Sequence, residues 1–158
     1  RWAYAFPMPY RILAIALVIL AATVGSASAR TPDQVLHTKS SSGLALMNAY
    51  SQLVVDKDKP ALAALLCQAF QIQRADGSHA NRAQYLANLP DLRTYAYADV
   101  TQGRSSGIVT VRMQATLTLY VNGAMYNPAP APQLVVFRWM NARWMLVAQG
   151  NFNLPTTA

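Results

Sequence analysis

The stretch Ile108–Val121, IVTVRMQATLTLYV, decides how the chain is read. Val109, Val111, Met113, Ala115, Leu117 and Leu119 fall on one side and Thr110, Arg112, Gln114, Thr116 and Thr118 on the other, the two-residue period of a half-buried β-strand. At about 3.3 Å per residue, so long a strand calls for a bend or a bulge. Upstream, Leu92 to Thr101 sets Arg93, Tyr95, Tyr97 and Asp99 against Leu92, Ala96, Ala98 and Val100, and Gly103 to Gly107 supplies the turn. Downstream, Asn122-Gly123 signals a hairpin, and Pro128-Ala129-Pro130-Ala131-Pro132 cannot donate to a ladder, so it reads as a linker.

Gln133 to Met140 and Arg143 to Phe152 make a last hairpin about Asn141-Ala142. A two-residue turn there places Trp139 opposite Trp144 and Phe137 opposite Leu146, leaving Leu134, Val136, Arg138, Met145, Val147 and Gln149 on the other face. Both faces of this sheet are substantially apolar, so both need cover. Helices cover one; a second copy of the chain, through Leu134, Val136, Met140, Met145 and Val147, or the folded-back segment 30–43, covers the other.

Helices occupy the half before these strands. Leu46, Met47, Tyr50, Leu53 and Val54 recur at three- and four-residue spacing, which predicts a helix from Gly43 to Val55. Asp56-Lys57-Asp58-Lys59-Pro60 breaks it and starts another, with Asp58 or Lys59 as the cap and Leu62, Leu65 and Leu66 on one face. Phe70 to Gln73 reads as a short extended piece. In Ala75-Asp76-Gly77-Ser78 the Asp and Gly suit a tight turn, and Asn81 with Gln84 forms a capping box for a helix that carries Tyr85, Leu86 and Leu89 and stops at Pro90. The chemistry of Asp76, His79 and Asn81 is thereby accounted for by backbone needs.

The first 29 residues read as an export signal: Arg1 and Arg11 flank a basic start, Ile12 to Val24 is apolar, and Ala27-Ser28-Ala29 is a small-residue cleavage site. The apolar run falls short of the roughly 20 residues that cross a bilayer, so an uncleaved anchor is the lesser alternative, and no membrane association is expected after cleavage. The product is expected to be secreted or periplasmic. Segment 30–43 reads as flexible or loosely helical, with Thr31-Pro32-Asp33-Gln34 resembling a capping box, and 44–154 as one domain.

Without Arg1 and Arg11 the net charge falls from +7 to +5, all six acids being Asp. The basic residues are scattered rather than clustered beside aromatic platforms, which argues against nucleic-acid binding. Cys67 is the single cysteine and follows Leu62, Leu65 and Leu66, as a buried thiol does; a disulfide framework is excluded. His37 and His79 are far apart and no HxxxH or CxxC occurs, so neither a metal nor another cofactor is expected.

Helices followed by a strongly curved antiparallel sheet make an α+β pattern. With Arg74-Ala75-Asp76-Gly77, the helix from Asn81 to Leu89, Pro132 before Leu134-Val135-Val136-Phe137, and Trp144-Met145-Leu146-Val147-Ala148-Gln149-Gly150-Asn151-Phe152, it resembles small exported members of the nuclear transport factor 2-like superfamily. That superfamily includes ketosteroid isomerase and the SnoaL-like polyketide cyclases. The resemblance covers roughly Leu44 to Phe152 and implies a cone open between helices and sheet. Gln133 and Gln149 stand where such relatives often carry a basic residue and a His.

An isomerase-like site needs a carboxylate base over an apolar pocket and a hydroxyl donating to an oxyanion. Asp99 is the weak candidate base, and no other catalytic residue is expected. For a ligand pocket the candidates are Tyr50, Tyr95, Tyr97, Asp99, Gln149 and Asn151. Three functions stay open: binding of a small apolar molecule carrying one carbonyl or hydroxyl, an interaction or dimerisation domain, and an isomerase- or cyclase-like enzyme.

Overall fold

The computed structural model describes residues 29–121, 123–126 and 129–152. The export-signal reading, apart from Ala29, lies outside the described residues, as do Asn122 of the hairpin signal and Pro128 of the linker. Among the described residues no helix is long and apolar enough to cross a membrane.

Capping side chains set the helix starts. Thr31 and Gln34 form a reciprocal capping box on α1 (Pro32–Leu36), and Ser42 caps α2 (Gly43–Val55) by accepting from the Ala45 amide at 3.2 Å. Asp58 caps α3 (Lys59–Leu65) through the Ala61 amide at 3.0 Å. Asn81 and Gln84 cap α4 (Arg82–Ala87) with bonds of 3.0 and 2.9 Å. The predicted stripe of α2 is all buried, from Leu46 and Met47 to Tyr50, Leu53 and Val54.

Segment 30–43, expected to be flexible or loosely helical, carries the short helix α1 and is fastened by long-range contacts. Leu36 enters the core, the Trp144 indole donates to the Thr38 carbonyl at 3.1 Å, and the Arg104 guanidinium donates to the carbonyls of Lys39 and Ser41. The Gln102 side chain accepts from the Gly43 amide at 2.5 Å. A polar run thus becomes ordered because long-range partners satisfy its carbonyls. It lies against α2 and the Trp144 side of the sheet, so it is not the cover of the opposite face.

Strands β1 (Leu66–Gln73), β2 (His79–Asn81), β3 (Asp91–Ser105), β4 (Ile108–Val121), β5 (Ala124–Met125), β6 (Ala131–Met140) and β7 (Arg143–Asn151) form one curled sheet. Its order is β2-β1-β7-β6-β4-β3, with β5 on β4. Every pairing is antiparallel except β1 with β7, which makes the sheet mixed. The short extended piece foreseen at Phe70 to Gln73 is the end of β1, and β3 runs on to Ser105 through the residues foreseen as a turn. On β4 the expected alternation holds, with Val109, Val111, Met113 and Ala115 buried against the helices.

Three irregularities decide which side chains reach the inside. In β3, bulges lie between Leu92 and Thr94 and between Ala98 and Thr101. The first brings Leu92 onto the same face as Tyr95 and Tyr97. The second lets Val100 pack on the core while Asp99, at φ 51°, is exposed. Between β6 and β7, Phe137 opposes Leu146 but Val136 opposes Ala148, so Val147 is an extra residue. Strict alternation put Gln149 on the outer face; the bulge turns it inward, where it is buried.

Candidate functional site

A narrow cavity lies between α2 and the curl of the sheet. Tyr50, Ser51 and Val54 of α2, Tyr85 of α4, Tyr97 of β3, Leu117 and Leu119 of β4, Gln133 of β6, and Gln149 and Asn151 of β7 line it, with Arg74, Pro90 and Tyr126 toward its rim. Its volume is about 40 Å³. Room for a water begins at roughly 10–15 Å³, so this space takes a few waters or the end of a small molecule, not a ring system.

The polar atoms of this cavity come in pairs. The Tyr50 and Tyr85 hydroxyls are 2.6 Å apart, and Ser51 pairs with the Tyr97 hydroxyl. Each pair holds two hydroxyl protons and uses one internally, so each retains one donor for a ligand or water. Burial pushes the Tyr50 phenol well above its ordinary 10.0, and the neighbouring Tyr85 adds to the effect. Burial likewise takes Tyr85 up to about 12 and raises Tyr97. These groups therefore stay protonated at neutral pH and act as donors, not bases.

On the sheet side, Gln149 donates from Nε2 to Oδ1 of Asn151 at 3.1 Å, while Gln149 Oε1 is buried with no partner among the described residues. Gln133, opposite Asn151 in the β6–β7 ladder, is 3% exposed. At the rim the Tyr126 hydroxyl accepts from the Ala75 amide at 2.7 Å, which fastens the 74–77 turn beside the cavity.

Of the six residues singled out from the sequence, four line this space: Tyr50, Tyr97, Gln149 and Asn151. Tyr95 sits outside it, half-buried against α2, with its hydroxyl 3.4 Å from the Asn48 carbonyl and from Gln52 Oε1. Asp99 is elsewhere, in a shallow surface depression with Thr101, Arg112 and Pro132, because the bulge at its position turns it away. Ser51, Tyr85, Arg74 and Gln133 were not foreseen. Ser51 is a polar residue inside the apolar stripe of α2, and Tyr85 is a hydroxyl on the buried face of α4. Those two misplacements of polarity were the signals for them. Among the described residues no group of His, Cys, Asp or Glu could hold a metal.

The same assembly of helices and curled sheet occurs in solved structures. An NTF2-like protein from Cytophaga hutchinsonii matches with a TM-score of 0.60 at 14% identity, over 65% of this chain and 88% of that one. The chain has the nuclear transport factor 2-like fold. An NTF2-like protein of unknown function in nutrient uptake from Rhodospirillum rubrum is similar at a TM-score of 0.57 and 16% identity, over 65% of this chain and 90% of that one. An NTF2-like protein with a cystatin-like fold from Novosphingobium aromaticivorans gives 0.53 and 19%, over 72% and 80%. No family model and no curated protein matches. The nuclear transport factor 2-like fold is thus shared, and the cavity's own chemistry has to carry the functional reading.

Proposed function

We propose that the chain is a binding module that receives the hydroxyl-bearing end of a small aliphatic molecule in the nuclear transport factor 2-like cone. The observation that carries this reading is the unpaired Gln149 Oε1, buried in a side chain that lines an apolar cavity beside two hydroxyl pairs, each with a proton to spare. A buried acceptor left alone costs roughly 1–3 kcal/mol, which a ligand hydroxyl recovers by donating to it while accepting from a tyrosine. Binding is favoured over catalysis because, among the described residues lining the cavity, there is no Asp, Glu or His to move a proton, and the phenols are held protonated. An isomerase acting on fused rings also needs a space far larger than about 40 Å³.

Calorimetric titration with hexan-2-ol tests the proposal. Wild type should bind, and Gln149→Leu should weaken binding by about tenfold, the worth of one buried hydrogen bond. Equal affinity in the two proteins, or no binding to wild type, overturns it.

We also propose that the outer face of the sheet pairs with a second copy. Support comes from Ile108, Leu134 and Phe152, which are 40%, 43% and 49% exposed, with the Phe152 ring lying over Gly150.

A further inference from the structure

The cavity opens beside a wider, polar vestibule of about 720 Å³, and Arg74, Pro90 and Val121 line both spaces. The walls of the vestibule carry Lys57, Lys59, Arg74 and His79 against one carboxylate, Asp91. That carboxylate is already engaged. Lys57 Nζ lies 3.3 Å from its Oδ1 and the Arg93 guanidinium 3.2 Å from its Oδ2, which together hold Asp91 below the usual carboxylate range. Asp76, two residues from Arg74, is taken up by the Ser78 amide at 2.8 Å.

Lys59 is therefore left without a carboxylate partner among the described residues, and Arg74, whose charge helps to hold the Asp76 carboxyl below its ordinary range, makes no salt bridge there. The one side-chain hydrogen bond of Arg74 among the described residues is a long one to Ser78 Oγ, at 3.4 Å, and the Lys59 side chain has no partner among them. Two cations, Lys59 and Arg74, on a concave wall attract a counter-charge, and a guanidinium's fork matches the two oxygens of a carboxylate. The guanidinium stands at the junction of the two spaces, so one ligand of modest length can reach both.

We propose that the ligand is a short aliphatic hydroxy acid, its hydroxyl end in the cavity and its carboxylate in the vestibule on Arg74 and Lys59. This rests on the binding reading given above. The charge adds to the affinity, and the narrow inner space selects the end group.

Two probes that differ only in their last carbon separate the parts: 5-hydroxyhexanoate and hexan-2-ol. At low ionic strength wild type should bind the acid about tenfold tighter than the alcohol, the worth of a charge-assisted bond. In Arg74→Gln and Lys59→Gln that ratio should shrink toward one. Because the ratio is taken within each protein, a general loss of affinity cancels, and Arg74→Lys should restore part of it. A wild-type ratio near one overturns the inference and leaves the cavity reading standing. A ratio that both variants leave unchanged overturns it as well. Acid binding that Arg74→Gln weakens but Gln149→Leu leaves untouched keeps the anion site and overturns the cavity reading. If neither probe binds, both are wrong.

Discussion

Tyr50, Tyr85 and Tyr97 give the cavity both its polarity and a dependence on pH. Each phenol is raised above its ordinary 10.0 by burial, Tyr85 to about 12. The unfolded chain ionises these groups near pH 10 while the folded chain still holds their protons. Stability is thus complete below that point and is lost as pH rises through about 12. An alkaline titration followed by phenolate absorbance and circular dichroism should show the buried tyrosines ionising together with unfolding. Ionisation of all the tyrosines with the fold intact would contradict this. Tyr50 was legible in the sequence because a helical stripe placed it, and Tyr97 because a strand did. Tyr85 reads in the sequence only as apolar surface on its helix, since nothing local distinguishes a packing tyrosine from one whose hydroxyl meets a partner thirty-five residues away.

At the scale of the element, caps and two-residue periods were readable because they are local, whereas bulges were not. The boxes Thr31–Gln34 and Asn81–Gln84 formed as their spacing required. The alternation in β4 held, and the last hairpin set Trp139 against Trp144. Asp99 and Gln149 were misassigned to a face because a single extra residue in a strand inverts everything beyond it. The need for a bend was foreseen; its location depended on how β3, β6 and β7 pair across the sheet. The last hairpin makes a further point. Asn141 and Ala142 turn it at φ 53° and 56°, a left-handed pair in which Ala142 carries a Cβ that glycine would not. Relief of that strain, about 1–2 kcal/mol, outweighs the extra freedom glycine gives the unfolded chain. Ala142→Gly should stabilise the protein by about 0.5–1 kcal/mol and raise its thermal midpoint by a few degrees. An unchanged or lower midpoint would show that the turn is not strained.

For the whole molecule, the two faces of the sheet have different fates: helices cover one, and the other shows Ile108, Leu134 and Phe152 to solvent. If a second copy covers that face, light scattering at tens of micromolar should report twice the chain's mass. Arg138 lies on the same face, so added salt should strengthen the pairing by screening like charges. A monomer mass under those conditions rejects the pairing. The sheet also has an end. β3 is its outermost strand on one side, fifteen residues long and largely exposed beyond Tyr97, and a regular strand of that length is a template onto which another chain can add by main-chain bonds. The bulge that turns Asp99 outward interrupts this template and leaves a charge on it. Deleting Asp99 would restore a regular ladder from Thr94 to the end of the strand, and the expected consequence is polymerisation: light scatter that grows with time and seeds fresh protein, absent in the parent chain. A deletion variant that stays dispersed would mean the twist of the sheet alone protects the margin.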